Sequence, residues 1–146
     1  MSPTSHAHPA YWGPAFTDAK VRDAMRVGVV YCRPEATPAD AARIMSGYGI
    51  HSVVVADAGA ARAEGPLAVV DALDVARAEA DGLANVSEIE TPGPHSIDAD
   101  APLAEAAAVM AENRVSHLVV VQPGTSRPVG VVSASGLLGA IAWGRA

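Results

Sequence analysis

The chain has 146 residues, half of them hydrophobic by type, and its 10 basic and 16 acidic side chains leave a formal charge of −6. That length suits one domain or two small halves sharing a core, and folding it removes roughly 68–70% of the unfolded surface from water, enough for stability without metal or disulfide. The aliphatic content argues against a disordered chain, and one lysine among nine scattered arginines argues against electrostatic capture of nucleic acid or an anionic membrane.

The first 17 residues form an arm with His6, His8, three prolines and the aromatics Tyr11, Trp12 and Phe16. The His-x-His pair lacks further ligands and reads as solvated tail, so no metal site is expected. The aromatics are candidates to fold over an apolar patch of the same module or of a dimer mate, with Trp143 on the same surface. Met1 to His8 carries neither a basic patch nor an apolar run, and the uncharged stretch from Pro128 to Gly144 falls short of the roughly 20 residues a membrane span needs. A soluble, cytoplasmic protein is the expectation. Cys32 is the lone cysteine and reads as a small buried hydrophobe.

A short extended segment is expected near Val29–Cys32. Ala41, Ile44, Met45 and Tyr48 then fall at helical spacing, and Thr37 as N-cap, Pro38 at the first position and Gly49 as stop bound a helix over 38–48. Val53 to Ala56 is a continuous β-branched run, hence a strand buried on both faces. After a Gly/Ala-rich turn from Asp57 to Gly65, Leu67 to Val70 reads as a second strand and 72–80 as a helix. The order then recurs: an extended segment at His95–Ile97, a helix at about 102–113, strands at 117–121 and 128–132, and a helix over 134–142.

The recurrence is a true internal repeat. An offset of 65 pairs residues 21–57 with 86–122 at nine identities, among them Val21/Val86, Gly28/Gly93, Met45/Met110 and Val54/Val119. Beyond the loop the match resumes at an offset of 62, with Pro66/Pro128, Val69/Val131 and Val70/Val132. Each copy is β-α-β-β-α and too small to cover both faces of its own sheet. The fold class expected is therefore α/β (α+β), two such repeats packed sheet to sheet, with boundaries at 1–17 for the arm, 18–80 for the first repeat and 81–146 for the second.

The ordered set of motifs resembles a tandem pair of CBS (cystathionine beta-synthase) domains. The first copy matches through Val21-Arg-Asp-Ala-Met25, Thr37-Pro-Ala-Asp-Ala-Ala-Arg-Ile-Met45, Ile50-His-Ser-Val-Val-Val-Ala-Asp57 and Ala68-Val-Val-Asp-Ala-Leu-Asp74; the second through Val86-Ser-Glu-Ile89, Leu103-Ala-Glu-Ala-Ala-Ala-Val-Met110, Val115-Ser-His-Leu-Val-Val-Val121 and Gly130-Val-Val-Ser-Ala-Ser-Gly-Leu137. The resemblance covers about residues 20–143. It implies a disc-like module with two clefts between the sheets, which in the family bind AMP, ADP, ATP or S-adenosylmethionine, and pairing into homodimers.

The resemblance also assigns site residues, with departures. The family pattern Gly-x-x-Thr/Ser-x-x-Asp ends each second strand; its Asp meets the ribose hydroxyls, and its hydroxyl and helix N-terminus hold phosphate. In the first copy Asp74 takes the ribose position, but Asp71 replaces the hydroxyl and Ala68 the glycine. In the second, Gly130, Ser133 and Ser135 fit, while Gly136 stands at the ribose position. Asp71 would repel a phosphate by about 1 kcal/mol at 4 Å in water and about 4 at an effective dielectric of 20, favouring adenosine or a cationic adenosyl ligand in the first cleft. Asp71 and Asp74 read equally well as caps of the following helix. His51 falls at a family position for a phosphate-contacting basic residue and His117 beside its counterpart; both also read as strand-edge histidines. Val30 and Ile97 match adenine-pocket positions and read as core besides.

The expected function is a stand-alone regulatory module that senses an adenosine-containing ligand and acts on a protein partner in trans, as a homodimer. No essential cofactor is expected. The alternative is a structural or partner-binding module with degenerate, ligand-free clefts. Neither a nucleophile–base set nor a Walker-type loop points to an enzyme.

Overall fold

A computed structural model describes residues 11–56, 68–91 and 96–145; His6, His8, His95 and the turn from Asp57 to Gly65 lie outside them. The elements are α1 (Val21–Ala24), β1 (Arg26–Val27), β2 (Tyr31–Cys32), α2 (Pro38–Tyr48), β3 (Ser52–Val55), β4 (Ala68–Asp71), α3 (Ala72–Ala80), a 3₁₀ turn (Val86–Glu88), β5 (Ser96–Asp98), α4 (Leu103–Asn113), β6 (His117–Val121), β7 (Pro128–Ser133) and α5 (Ala134–Trp143). The α2 boundaries follow from local chemistry. Thr37 and Asp40 cap its start reciprocally, Pro38 sits at the first position, and Gly49 ends it in the left-handed region at φ 65°.

The strands form two sheets, β2-β3-β4 and β1-β7-β6-β5. In each, the first strand of the repeat runs parallel to the second, which pairs antiparallel with the third. The central strands are apolar on both sides because both are covered. Val53 packs with Ala41, Met45 and Val75 under the helices of the first half, while its neighbour Val54 turns to the opposite sheet and meets Val69 and Val119. On β6, Leu118 and Val120 pack with Leu103, Ala106 and Met110, and Val119 faces the seam. The two β-α-β-β-α repeats thus pack sheet to sheet.

The leading segments cross between the halves. The Val21 N–H donates to the Ala101 carbonyl and Arg22 to Ala99, tying α1 to the second half. At the same repeat offset, Val86 donates to Ala36 and Ser87 to Pro34, tying the 3₁₀ turn to the first half. Val21 lies in the core of the second half and Val86 in that of the first. Next to α1, β1 adds to β7 as a fourth, antiparallel strand.

The described end of the aromatic arm, from Tyr11 on, folds onto its own module. Tyr11 is buried against Leu137 and Ala140 of α5, the backbone of Ala15 bonds to Arg145, and the Arg145 guanidinium stands 4.7 Å over the Trp12 ring. Cys32 is buried, and burial, with the Asp40 charge adding, holds its thiol above the ordinary range. Among the described residues no helix is long and apolar enough to cross a membrane.

Val119→Ala removes two methyl groups from the seam between the sheets and is expected to cost about 2–3 kcal/mol in urea unfolding. Val27→Ala, on a side chain 80% exposed, is expected to stay within about 0.5 kcal/mol.

Candidate functional site

Each strand–helix junction at the seam is built the same way. Residues 51 and 116 correspond in the repeat, and their carbonyls accept the N–H of Ala72 and Ala134, the first residues of α3 and α5. The side chains that cap these helices differ. Asp71 Oδ1 accepts the Asp74 N–H at 2.8 Å, and Asp74 Oδ2 accepts the Asp71 N–H at 2.9 Å. Ser133 Oγ accepts the Gly136 N–H at 3.2 Å and lies 2.9 Å from Ser135 Oγ.

Above α5 a cleft of about 110 Å³ opens between the halves. Val30, His51, His117, Ser133 and Ser135 all line it, so residues far apart in sequence and drawn from both repeats meet there. Arg26, Gly28 and Ser52 line it too, and sequence reasoning missed them. Their signal was weak: Arg26 reaches the cleft only because β1 joins the opposite sheet, and Gly28, at φ 90°, turns the chain back toward the first half.

The other three assigned residues lie elsewhere. Ile97 is buried with Leu103 and Leu118 in the core of the second half. Asp74 borders a shallow depression with Leu73, Arg77 and Glu88. Burial raises its carboxyl above the usual range, the Asp71 N–H opposes this, and the Asp71 charge adds to it. Asp71 sits beside the cleft and receives the Ser116 hydroxyl at 3.2 Å, a bond between the two halves. The capping geometry of Asp71 and Asp74 is therefore seen directly.

His117 extends this chain of contacts, with Nδ1 2.9 Å from Ser116 Oγ. Since the Ser116 proton goes to Asp71, Nδ1–H donates to Ser116 and Nε2 carries the lone pair. Burial holds the His117 pKa below the ordinary 6.5; the Asp71 charge works upward against it and His51 pushes it further down. At the ribose position of the second repeat, a Cβ on Gly136 would stand 3.0 Å from the Ala24 carbonyl oxygen. On Gly130 it would stand 2.4 Å from that of Arg26. The crossing segment leaves room for glycine at both.

The family model of the CBS domain matches residues 21–81 and again residues 86–142. The chain belongs to the CBS-domain family. Its fold is also that of solved CBS proteins. The CBS domain pair of protein MJ0100, solved in complex with 5′-methylthioadenosine and S-adenosyl-L-methionine, superposes with a TM-score of 0.70 at 22% identity, over 82% of this chain and 93% of that one. A hexameric CBS-CP12 protein from bloom-forming cyanobacteria gives 0.69 at 23% identity, over 82% and 69%. CBSX2 in complex with AMP gives 0.61 at 20%, over 82% and 93%. No curated protein matches the chain.

In an NMR pH titration, His117 is expected to titrate below 6.5. Asp71→Asn, which keeps the cap, is expected to move that midpoint further down, and His51→Gln to move it up. Because the folded value lies below the unfolded one, the stability that neutral His117 holds above pH 6.5 is lost as pH falls through the folded value.

Proposed function

We propose that this CBS pair is a non-catalytic regulatory module that binds an adenosine-containing ligand in the cleft above α5 and acts on a protein partner in trans. The observation that carries this reading is the convergence of Val30, His51, His117, Ser133 and Ser135 on one cleft at a helix N-terminus. An apolar wall, hydroxyls and a helix dipole are what a base and a charged tail require. Solved CBS pairs of the same fold in complex with S-adenosyl-L-methionine or AMP support it. Leu73, Leu138 and Ile141, exposed on α3 and α5, support pairing of two modules.

One observation favours a second reading, a dimerisation or partner-binding module with degenerate clefts. At about 110 Å³ the cleft is smaller than the roughly 300–1,000 Å³ of ligand pockets, and Gly136 supplies no ribose acceptor.

Thermal shift against AMP, ADP, ATP, S-adenosylmethionine and NADH separates the two. A ligand at 100 times its Kd adds about 2.7 kcal/mol, a rise in Tm of roughly 5–10 °C for a chain of this size. Silence from the whole panel with folded protein leaves the second reading. Val30→Trp, which fills the cleft, is expected to abolish the shift. Asp74→Ala is expected to leave it unchanged, and loss of binding in that variant would move the site to the first repeat.

A further inference from the structure

The cleft has a charge pattern of its own. Arg26, His51 and His117 line it, and among the described residues no Asp or Glu does. Ser133 and Ser135 stand at the first turn of the ten-residue α5, whose unpaired N–H groups attract negative charge. Ser52, 9% exposed, adds a further hydroxyl-bearing side chain to the lining.

His117 can respond to a charge placed there. His117, half-buried at the start of β6, is fixed by the Ser116 and Asp71 bonds with Nε2 as its open proton site. The charged or titratable groups around it are Asp71 at the end of β4, His51 ahead of β3 and Arg26 on β1; its partner on β7 is the uncharged Ser133. We propose that the cleft is a proton-linked anion site: a phosphate group on the ligand, seated at the start of α5 beside the cross-strand pair of His117 and Ser133, draws a proton from solvent onto His117. Affinity for phosphate-bearing ligands then rises as pH falls, while affinity for an uncharged nucleoside does not. In the free protein burial keeps His117 neutral near pH 7, so the proton is taken up on binding. Affinity is flat below the free pKa, falls as pH rises between the free and bound values, and is flat again above them.

This inference rests on the reading that the cleft takes an adenosyl ligand. The AMP phosphate itself titrates near pH 6, so the probe is adenosine 5′-sulfate, whose charge is constant in this range, with adenosine as control. Calorimetry on the full chain from pH 5.5 to 8, in buffers of different ionisation enthalpy, is expected to show proton uptake with the sulfate ester and a Kd about three- to tenfold tighter at pH 6.0 than at 7.5. Adenosine is expected to change less than about twofold. NMR of the wild-type imidazoles is expected to show the His117 pKa rising in the complex, and the variant H51Q/H117N to bind with a flat profile. Sulfate-ester binding with no pH dependence, or equal dependence for adenosine, overturns the proton linkage and leaves the adenosyl reading standing. Binding of neither probe by folded protein overturns both.

Discussion

The rest of the molecule depends on the crossing of the two leading segments. Val21 and Val86, both fully buried, are pinned by the same backbone bond in opposite halves: each donates its N–H to the carbonyl just ahead of the other repeat's first helix. Neither half has a closed core without the valine of the other's leader. A chain of two repeats this small gains its stability by this exchange and by the double-sided burial of β3 and β6, whose valines are each worth about 1.5–3 kcal/mol on burial.

The same crossing fixes the site. By carrying β1 onto β7 it lays Arg26 and Gly28 over the junction between β7 and α5, and it brings the Ala24 and Arg26 carbonyls so close that glycine fills positions 136 and 130. The carboxylate missing from the second repeat has a steric context: an Asp at 136 would need the leader to move. Packing thus shapes what the cleft can recognise before any ligand arrives.

Much of this was legible in the sequence, for identifiable reasons. α2 was readable to the residue because Thr37, Pro38 and Gly49 bound it at both ends, and the start of α3 because the pair Asp71/Asp74 caps it. β3 and β6 were readable as strands because burial on two faces forces a continuous apolar run. α1 and β1 were not. A two-residue strand has no period, and what makes Arg26–Val27 a strand is β7, about a hundred residues away. The match of Val21 to Val86 showed that those positions are equivalent, but not that each lies in the other repeat's core. The same gap hid Arg26 and Gly28 from the cleft, whereas Val30, His51, His117, Ser133 and Ser135, which line it, stand at motif positions.

The two junctions have diverged in opposite electrostatic senses on one backbone plan. At an offset of 62, Asp71, Leu73 and Asp74 stand where Ser133, Ser135 and Gly136 stand in the second repeat. The positive end of α3 is neutralised from within: Asp71 caps it, Asp74 closes the cap, and Ser116 of the other half donates to the same carboxylate. α5 has only a hydroxyl at its cap, so its end keeps its attraction for negative charge. One helix carries its own anion and the other does not. With Arg26 and two histidines around the second and, among the described residues, no carboxylate lining its cleft, the asymmetry between repeats is itself the reason to look for an anionic ligand on α5 and not on α3.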